Sequence, residues 1–443
     1  VAYDIVIKNG TVVSSQGQCK ADIGIVGTKI AKVGDIAEDQ AQEVIDALGK
    51  HVFPGVIDTQ VHFREPGNEH KEDLESGSRA AIAGGVTSFF DMPNTNPATT
   101  TKQALEHKLS LAAGRCWANY AFYIGASPDN VDALAELERL PGCAGVKIFM
   151  GSSTGTLLVD DEAVLERVLM NGSRPCAVHS EDEARLKQRK PAFENDDNPA
   201  NHPVWRDVET AVASTRKLFR LAGKTGRKVH LLHVSTADEL ALIETAKSDG
   251  LSVTAEVTPQ HLFFYAPDCY ESLGTLAQMN PPIRDSWHQM ALRKATGEGL
   301  FDIVGSDHAP HTLAEKAMPY PKSPSGMPGV QTMLPVMLDL ASEGVFSVED
   351  VARMLCENPA RIFGIKGKGF IEEGFDADIV VVDLCATRIV SKDILHSKCG
   401  WSPYEGEALT GWPTDVIVNG SLAVREGQVQ GVPRGMMLEF EHE

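Results

Sequence analysis

From residue 54 to residue 365 the chain repeats one pattern: a short apolar run, a turn, then a longer stretch with helical spacing. Eight such runs stand at Val56–Val61, Val86–Asp91, Trp117–Ile124, Gly145–Met150, Pro175–His179, Lys228–Val234, Ser252–Val257 and Asp302–Gly305. Helical stretches such as Lys102–Ala113, Val131–Leu140 and Ala237–Ala246 separate them. Strand–helix alternation of this kind builds a parallel sheet covered by helices. Eight units over roughly 300 residues match an α/β fold of one type, the (β/α)8 TIM-type barrel.

The two ends read differently. Tyr3-Asp-Ile-Val-Ile-Lys and Ala21-Asp-Ile-Gly-Ile-Val alternate apolar and polar side chains between glycines, and the texture returns at Ala377-Asp-Ile-Val-Val-Val and Asp415-Val-Ile-Val. Short strands with Gly and Asn turns are expected there. The expectation is a small β-sandwich module built from both chain ends, residues 1–53 and 366–443, around a barrel of residues 54–365. A Pro-rich stretch, Met318-Pro-Tyr-Pro-Lys-Ser-Pro-Ser-Gly-Met-Pro-Gly, follows the eighth run as a candidate mobile loop.

Charge and composition narrow the partners. Lys+Arg 41 against Asp+Glu 61 gives 41 − 61 = −20, and without a long basic block this argues against nucleic acid or acidic membranes. No apolar stretch approaches the ~18 residues of a membrane span, and no basic-then-apolar leader opens the sequence, so a cytoplasmic protein is expected. The eight cysteines are scattered without a C-x-x-C pair, as reduced structural thiols would be.

Chemistry-bearing residues gather at the C-terminal ends of the runs, where barrel enzymes place their active sites. The first ends Asp58-Thr-Gln-Val-His-Phe-Arg-Glu-Pro-Gly; alternate strand residues share a face, so Gln60, His62 and Arg64 should point one way. The fourth places Lys147 in an apolar run, costly for an unpaired ammonium. The fifth ends at His179, the sixth carries His230 and His233, and the eighth ends Ser306-Asp-His-Ala-Pro-His. Histidines and a carboxylate converging from several strands are what Zn²⁺ takes at catalytic sites open to water. Such a metal acidifies the water and polarises a carbonyl. Singly, each residue has a plainer reading: His230 packed in the core, Lys147 reaching out of the strand end, Asp307 capping a helix, Arg64 paired with Glu65. Recurrence on five strands at one rim favours the metal site. Gly151-Ser-Ser-Thr-Gly fits the G-x-S-x-G nucleophile pattern but is short, Ser/Gly-rich and set aside.

These segments resemble the amidohydrolase superfamily, and within it dihydroorotases of the long bacterial-type class, over essentially the whole chain. The resemblance rests on Asp58–Gly67, Asp91-Met-Pro-Asn-Thr-Asn-Pro, Gly145-Val-Lys-Ile-Phe-Met-Gly, His233-Val-Ser-Thr, Met279-Asn-Pro-Pro-Ile-Arg and Ser306-Asp-His-Ala-Pro-His-Thr. It implies reversible hydrolysis of dihydroorotate to N-carbamoyl-aspartate in pyrimidine biosynthesis. It implies that Lys147 is carboxylated to a carbamate bridging two zinc ions, that His179 and His233 hold the second, and that Asp307 binds the first and shuttles the proton. Arg64, Asn94 and His311 would grip the substrate carboxylate, while Asn280 and the loop around Gly326–Gly329 would contact the ring amides. A homodimer is also implied.

One position departs from the family. The first histidine of its His-x-His pair is Gln60 here, and a neutral amide oxygen is a poorer zinc ligand than imidazole. One zinc, or a second held loosely by His62, Asp307 and Gln60, is the expectation. Two other readings follow: a catalytically silent partner of aspartate transcarbamoylase, or a hydantoinase/allantoinase-type hydrolase of another cyclic amide.

Overall fold

The computed structural model describes residues 2–37, 41–152 and 157–441. Eight parallel strands follow one another in sequence order around a barrel: Val56–Val61, Val86–Asp91, Asn119–Gly125, Cys143–Phe149, Cys176–His179, Val229–Leu231, Val253–Val257 and Ile303–Val304. The ring is completed where the last strand meets the first. There the His62 N–H donates to His308 O at 2.7 Å, and the Ser306 N–H donates to the Asp58 carboxylate at 3.1 Å. The first two strands have the bounds read from the sequence. The sixth is only three residues long, so His233 lies beyond its end rather than on it. Between the third and fourth strands, the expected helix at 131–140 is a 3₁₀ turn, Val131–Ala133, and one α turn, Leu134–Leu137.

Both chain ends do build one module. His51–Pro54 pairs antiparallel with Ile379–Ile389, which pairs in turn with Ala408–Val418, giving a seven-stranded sheet drawn from the two termini. A four-stranded sheet from residues 3–46 faces it, and Ile5, Ile23, Ile25, Val52, Ile379 and Ile417 fill the space between. The tail from Met437 to Phe440 returns to the barrel, where Leu438 and Phe440 pack under Phe90, Tyr123 and Phe363 and seal the end opposite the candidate site. All eight cysteines are free, six of them buried. Among the described residues no helix is long and apolar enough to cross a membrane.

Candidate active site

Alternation on the first strand delivers two side chains to one point. Gln60 Nε2 donates to Asp307 Oδ1 at 3.2 Å, and His62 Nε2 stands 3.2 Å from the same oxygen. Arg64 does not follow by alternation: the strand has ended, its backbone is left-handed (φ 65°), and its guanidinium turns to Pro310 O and His311. His233 (φ 37°) and Asp307 (φ 44°) are also left-handed. A non-glycine residue pays of order 1–3 kcal/mol for such backbone, a cost that gathers at functional sites. Among the described residues, three of the six non-glycine residues with positive φ thus belong to this rim.

Proton accounting shows what the site lacks. His62 Nδ1 stands 2.9 Å from Asn94 Oδ1 and Nε2 3.2 Å from Asp307 Oδ1; both neighbours are acceptors, so a neutral ring donates to one of them and turns a lone pair to the other. Across the rim, His179 Nε2 donates to Glu181 Oε2 at 2.8 Å, leaving its Nδ1 lone pair 3.0 Å from His233 Nε2. His233 Nδ1 is buried without a partner, as is Gln60 Oε1. Burial lowers the pKa of all three histidines, against Asp307 at His62 and Glu181 at His179, while the His179 and Lys147 charges press His233 further down. Neutral imidazoles presenting lone pairs are metal donors. Two donors on one tetrahedral zinc stand about 3.3 Å apart for bonds of about 2.0–2.1 Å, close to both separations.

Among the described residues no three His, Cys, Asp or Glu side chains form a metal cage by themselves. A metal at either pair would need a third donor of another residue type: Gln60 stands at His62 and Asp307, and the charge of Lys147 acts on His179, His233 and Asp307. Lys147 is 1% exposed, its ammonium lies 4.5 Å from the centre of the Phe149 ring, and it has no hydrogen bond or ion pair among the described residues. Burial pushes it from 10.5 down to about 7, against the pull of Asp307 and Glu256. An ammonium there would repel a cation; a carbamate would be an anionic ligand.

Glu181, which the sequence reading missed, fixes the tautomer of His179. Although burial alone would raise its pKa, Arg206 and His179 hold its carboxyl well below the usual carboxylate range. Its signal was the placement two residues after His179, on the same face. Asp58, next to Gln60, is fully buried and pushed up to about 7 by burial, against bonds from Ser306 and Gln60. Asp307 caps no helix but receives Gln60, and Glu65 pairs with Arg115 rather than Arg64. His230 is a core residue bonded to Thr254.

Farther out, His311 sits between Arg64 Nη2 at 3.3 Å and Lys71 Nζ at 3.1 Å, with Ser325 O 3.0 Å from its Nε2. Gly326 permits this approach: its φ is +136°, and a Cβ there would stand 2.5 Å from Ala309 O. Asn280 Oδ1 accepts from His202 Nε2 at 2.8 Å. The Pro-rich loop is tied down by Lys316, whose buried ammonium donates to Gln278 O, Pro324 O and Gly326 O. The serine of the G-x-S-x-G pattern, Ser153, lies outside the described residues.

Residues 51–198 and 200–423 match the amidohydrolase family. The chain belongs to that family. This amidohydrolase is 35% identical to a dihydroorotase of Methanosarcina acetivorans, over 98% of its own length and 95% of the other's. It is 34% identical to an allantoinase of Bacillus velezensis, over 92% and 90%. In fold it is similar to the L-hydantoinase (dihydropyrimidinase) of Arthrobacter aurescens, with a TM-score of 0.92, 30% identity and coverage of 97% and 98%. The resemblance to dihydroorotases is borne out, with allantoinases close by. This amidohydrolase is an enzyme of the dihydroorotase, allantoinase and hydantoinase group of cyclic amide hydrolases.

Proposed function

We propose that the substrate is dihydroorotate, hydrolysed reversibly to N-carbamoyl-aspartate. The observation that carries this choice is Arg64. Its guanidinium is buried at the barrel mouth, donates to Pro310 O at 3.1 Å, and makes no ion pair with any described carboxylate. Burial lowers its pKa to about 10, which leaves it a cation at neutral pH. A buried unpaired guanidinium is costly, and a ring carboxylate would meet it with a two-pronged hydrogen bond. Allantoin and the simple hydantoins offer no such group.

The donors fit zinc. His179, His233 and carboxylated Lys147 would hold one ion, and His62, Asp307 and the weaker Gln60 a second. When bound, zinc lowers the pKa of water and polarises the amide carbonyl. Arg64 would hold the carboxylate and thereby fix the ring, with His311 beside its guanidinium, while Asn94 keeps the His62 ring oriented. As the water oxygen adds to the amide carbonyl carbon, Asp307 takes the water proton. It then gives that proton to the ring nitrogen as the C–N bond breaks. Ring closure follows the same steps in reverse.

The test is zinc per chain on protein purified without added metal, together with turnover of dihydroorotate, allantoin and hydantoin. One or two zinc ions and dihydroorotate turnover, cut about 100- to 10,000-fold by Asp307→Ala, is the expected result. Turnover of allantoin or hydantoin with none of dihydroorotate would refute the substrate. No zinc and no turnover, even with zinc and bicarbonate supplied, would leave a silent partner of aspartate transcarbamoylase.

A further inference from the structure

Lys71 lies on the loop between the first barrel strand and the helix Leu74–Ala83, past the Asp58–Gly67 segment. Its ammonium stands 3.1 Å from His311 Nδ1 and 3.2 Å from Glu315 Oε1. An ammonium has only donors, so His311 Nδ1 must accept. A neutral imidazole then carries its proton on Nε2, and that N–H finds Ser325 O at 3.0 Å. The 3.3 Å approach of Arg64 Nη2 to the same Nε2 therefore sets donor against donor. With the tautomer assigned, the Nη2 edge of Arg64 has no acceptor among the described residues, although the residue is 5% exposed.

We infer that Lys71 is a positioning residue for substrate specificity: it locks His311 in the Nε2–H tautomer, which denies Arg64 an internal acceptor and reserves its guanidinium for an anionic substituent on the ring. The inference rests on the proposed function for the identity of that anion, a carboxylate. Glu315 completes the device. It accepts from Lys71 and is itself held by the Thr312 N–H and hydroxyl at the start of the helix Leu313–Lys316. Lys71 is thus fixed by a carboxylate that it shares with Thr312, and Arg64 keeps no direct ion pair among the described residues. Without Lys71 the imidazole can take the other tautomer, accept from Arg64 through Nε2, and turn the guanidinium inward.

The experiment compares zinc-loaded wild type with Lys71→Met and Lys71→Arg. Lys71→Met should raise KM for dihydroorotate about ten- to hundredfold, the worth of one charge-assisted hydrogen bond, with kcat within about twofold, because Lys71 touches no reacting atom. Lys71→Arg, which restores a donor-only cation, should recover most of the loss. Nitrogen-15 NMR of histidine-labelled protein, with the His311 signals assigned by their loss in His311→Asn, should show Nε2–H in wild type and a mixed or reversed tautomer in Lys71→Met. An unchanged KM in Lys71→Met, or equal losses in kcat and kcat/KM, would overturn the inference. So would an Nδ1–H tautomer in wild type. A wild type that leaves dihydroorotate untouched would sink the functional reading instead; Lys71 is then judged by the tautomer, where Nε2–H sustains the positioning role and Nδ1–H refutes it.

Discussion

Replacing Lys147 by methionine should make the metal-free protein more stable while abolishing its ability to take up zinc. The lysine is enclosed in the fourth strand with its ammonium against Phe149, and burial brings its pKa from 10.5 to about 7. Between those two values the unfolded chain holds a proton that the folded chain has given up, so stability rises with pH across that window. The fall is worth about 4 kcal/mol against folding at pH 7, and about half of that is recovered by pH 9. Lys147→Met carries no such cost and should lack that component of the pH dependence. Urea unfolding of metal-free protein, followed by tryptophan fluorescence under carbon dioxide-free nitrogen from pH 7 to pH 9, measures both chains. The gap between them should narrow by about 2 kcal/mol over that range. A gap that stays constant would refute the argument that burial of the charge sets the cost. Adding bicarbonate should close the gap at pH 7, with a gain of one carbon dioxide in the native mass of wild type and none in the variant.

Two further outcomes test the metal donors. Gln60→His supplies imidazole where an amide now faces Asp307, and should raise the zinc retained after dialysis toward two ions per chain; an unchanged stoichiometry would mean that His62 and Asp307 do not form a metal position. Glu181→Gln keeps the shape but leaves His179 Nε2 a weaker acceptor, and should reduce zinc affinity about 10- to 100-fold with KM for dihydroorotate little changed. A chelator competition assay reads that loss, and no change in it would remove Glu181 from the site.

How much of this was legible depended on whether a residue's partner lies near it in sequence. Val56–Val61 and Val86–Asp91 begin after Gly55 and Gly85, which punctuate the chain locally, and both were read to the residue. The rim residues were found because a barrel sends strand ends to one place, whatever the packing. The sixth strand was read too long because Leu232 and Val234 are apolar, yet they flank the left-handed His233 rather than extend a ladder. Arg64 was assigned a strand face that its positive φ denies it. Lys71 and Arg206 gave no signal, because their partners lie 240 and 25 residues away and no period connects them.

The pairing of His51–Pro54 with Ile379–Ile389 has a consequence for biosynthesis. His51–Pro54 leaves the ribosome long before Ile379–Ile389, the segment that will cover the edge at Val52 and Phe53, and the whole barrel is made in between. Until then that edge presents open hydrogen-bonding groups and two side chains that end up fully buried, a surface on which nascent chains associate with one another. Rapid completion of the barrel therefore shortens the time for which this edge is open to the strands of a neighbouring nascent chain.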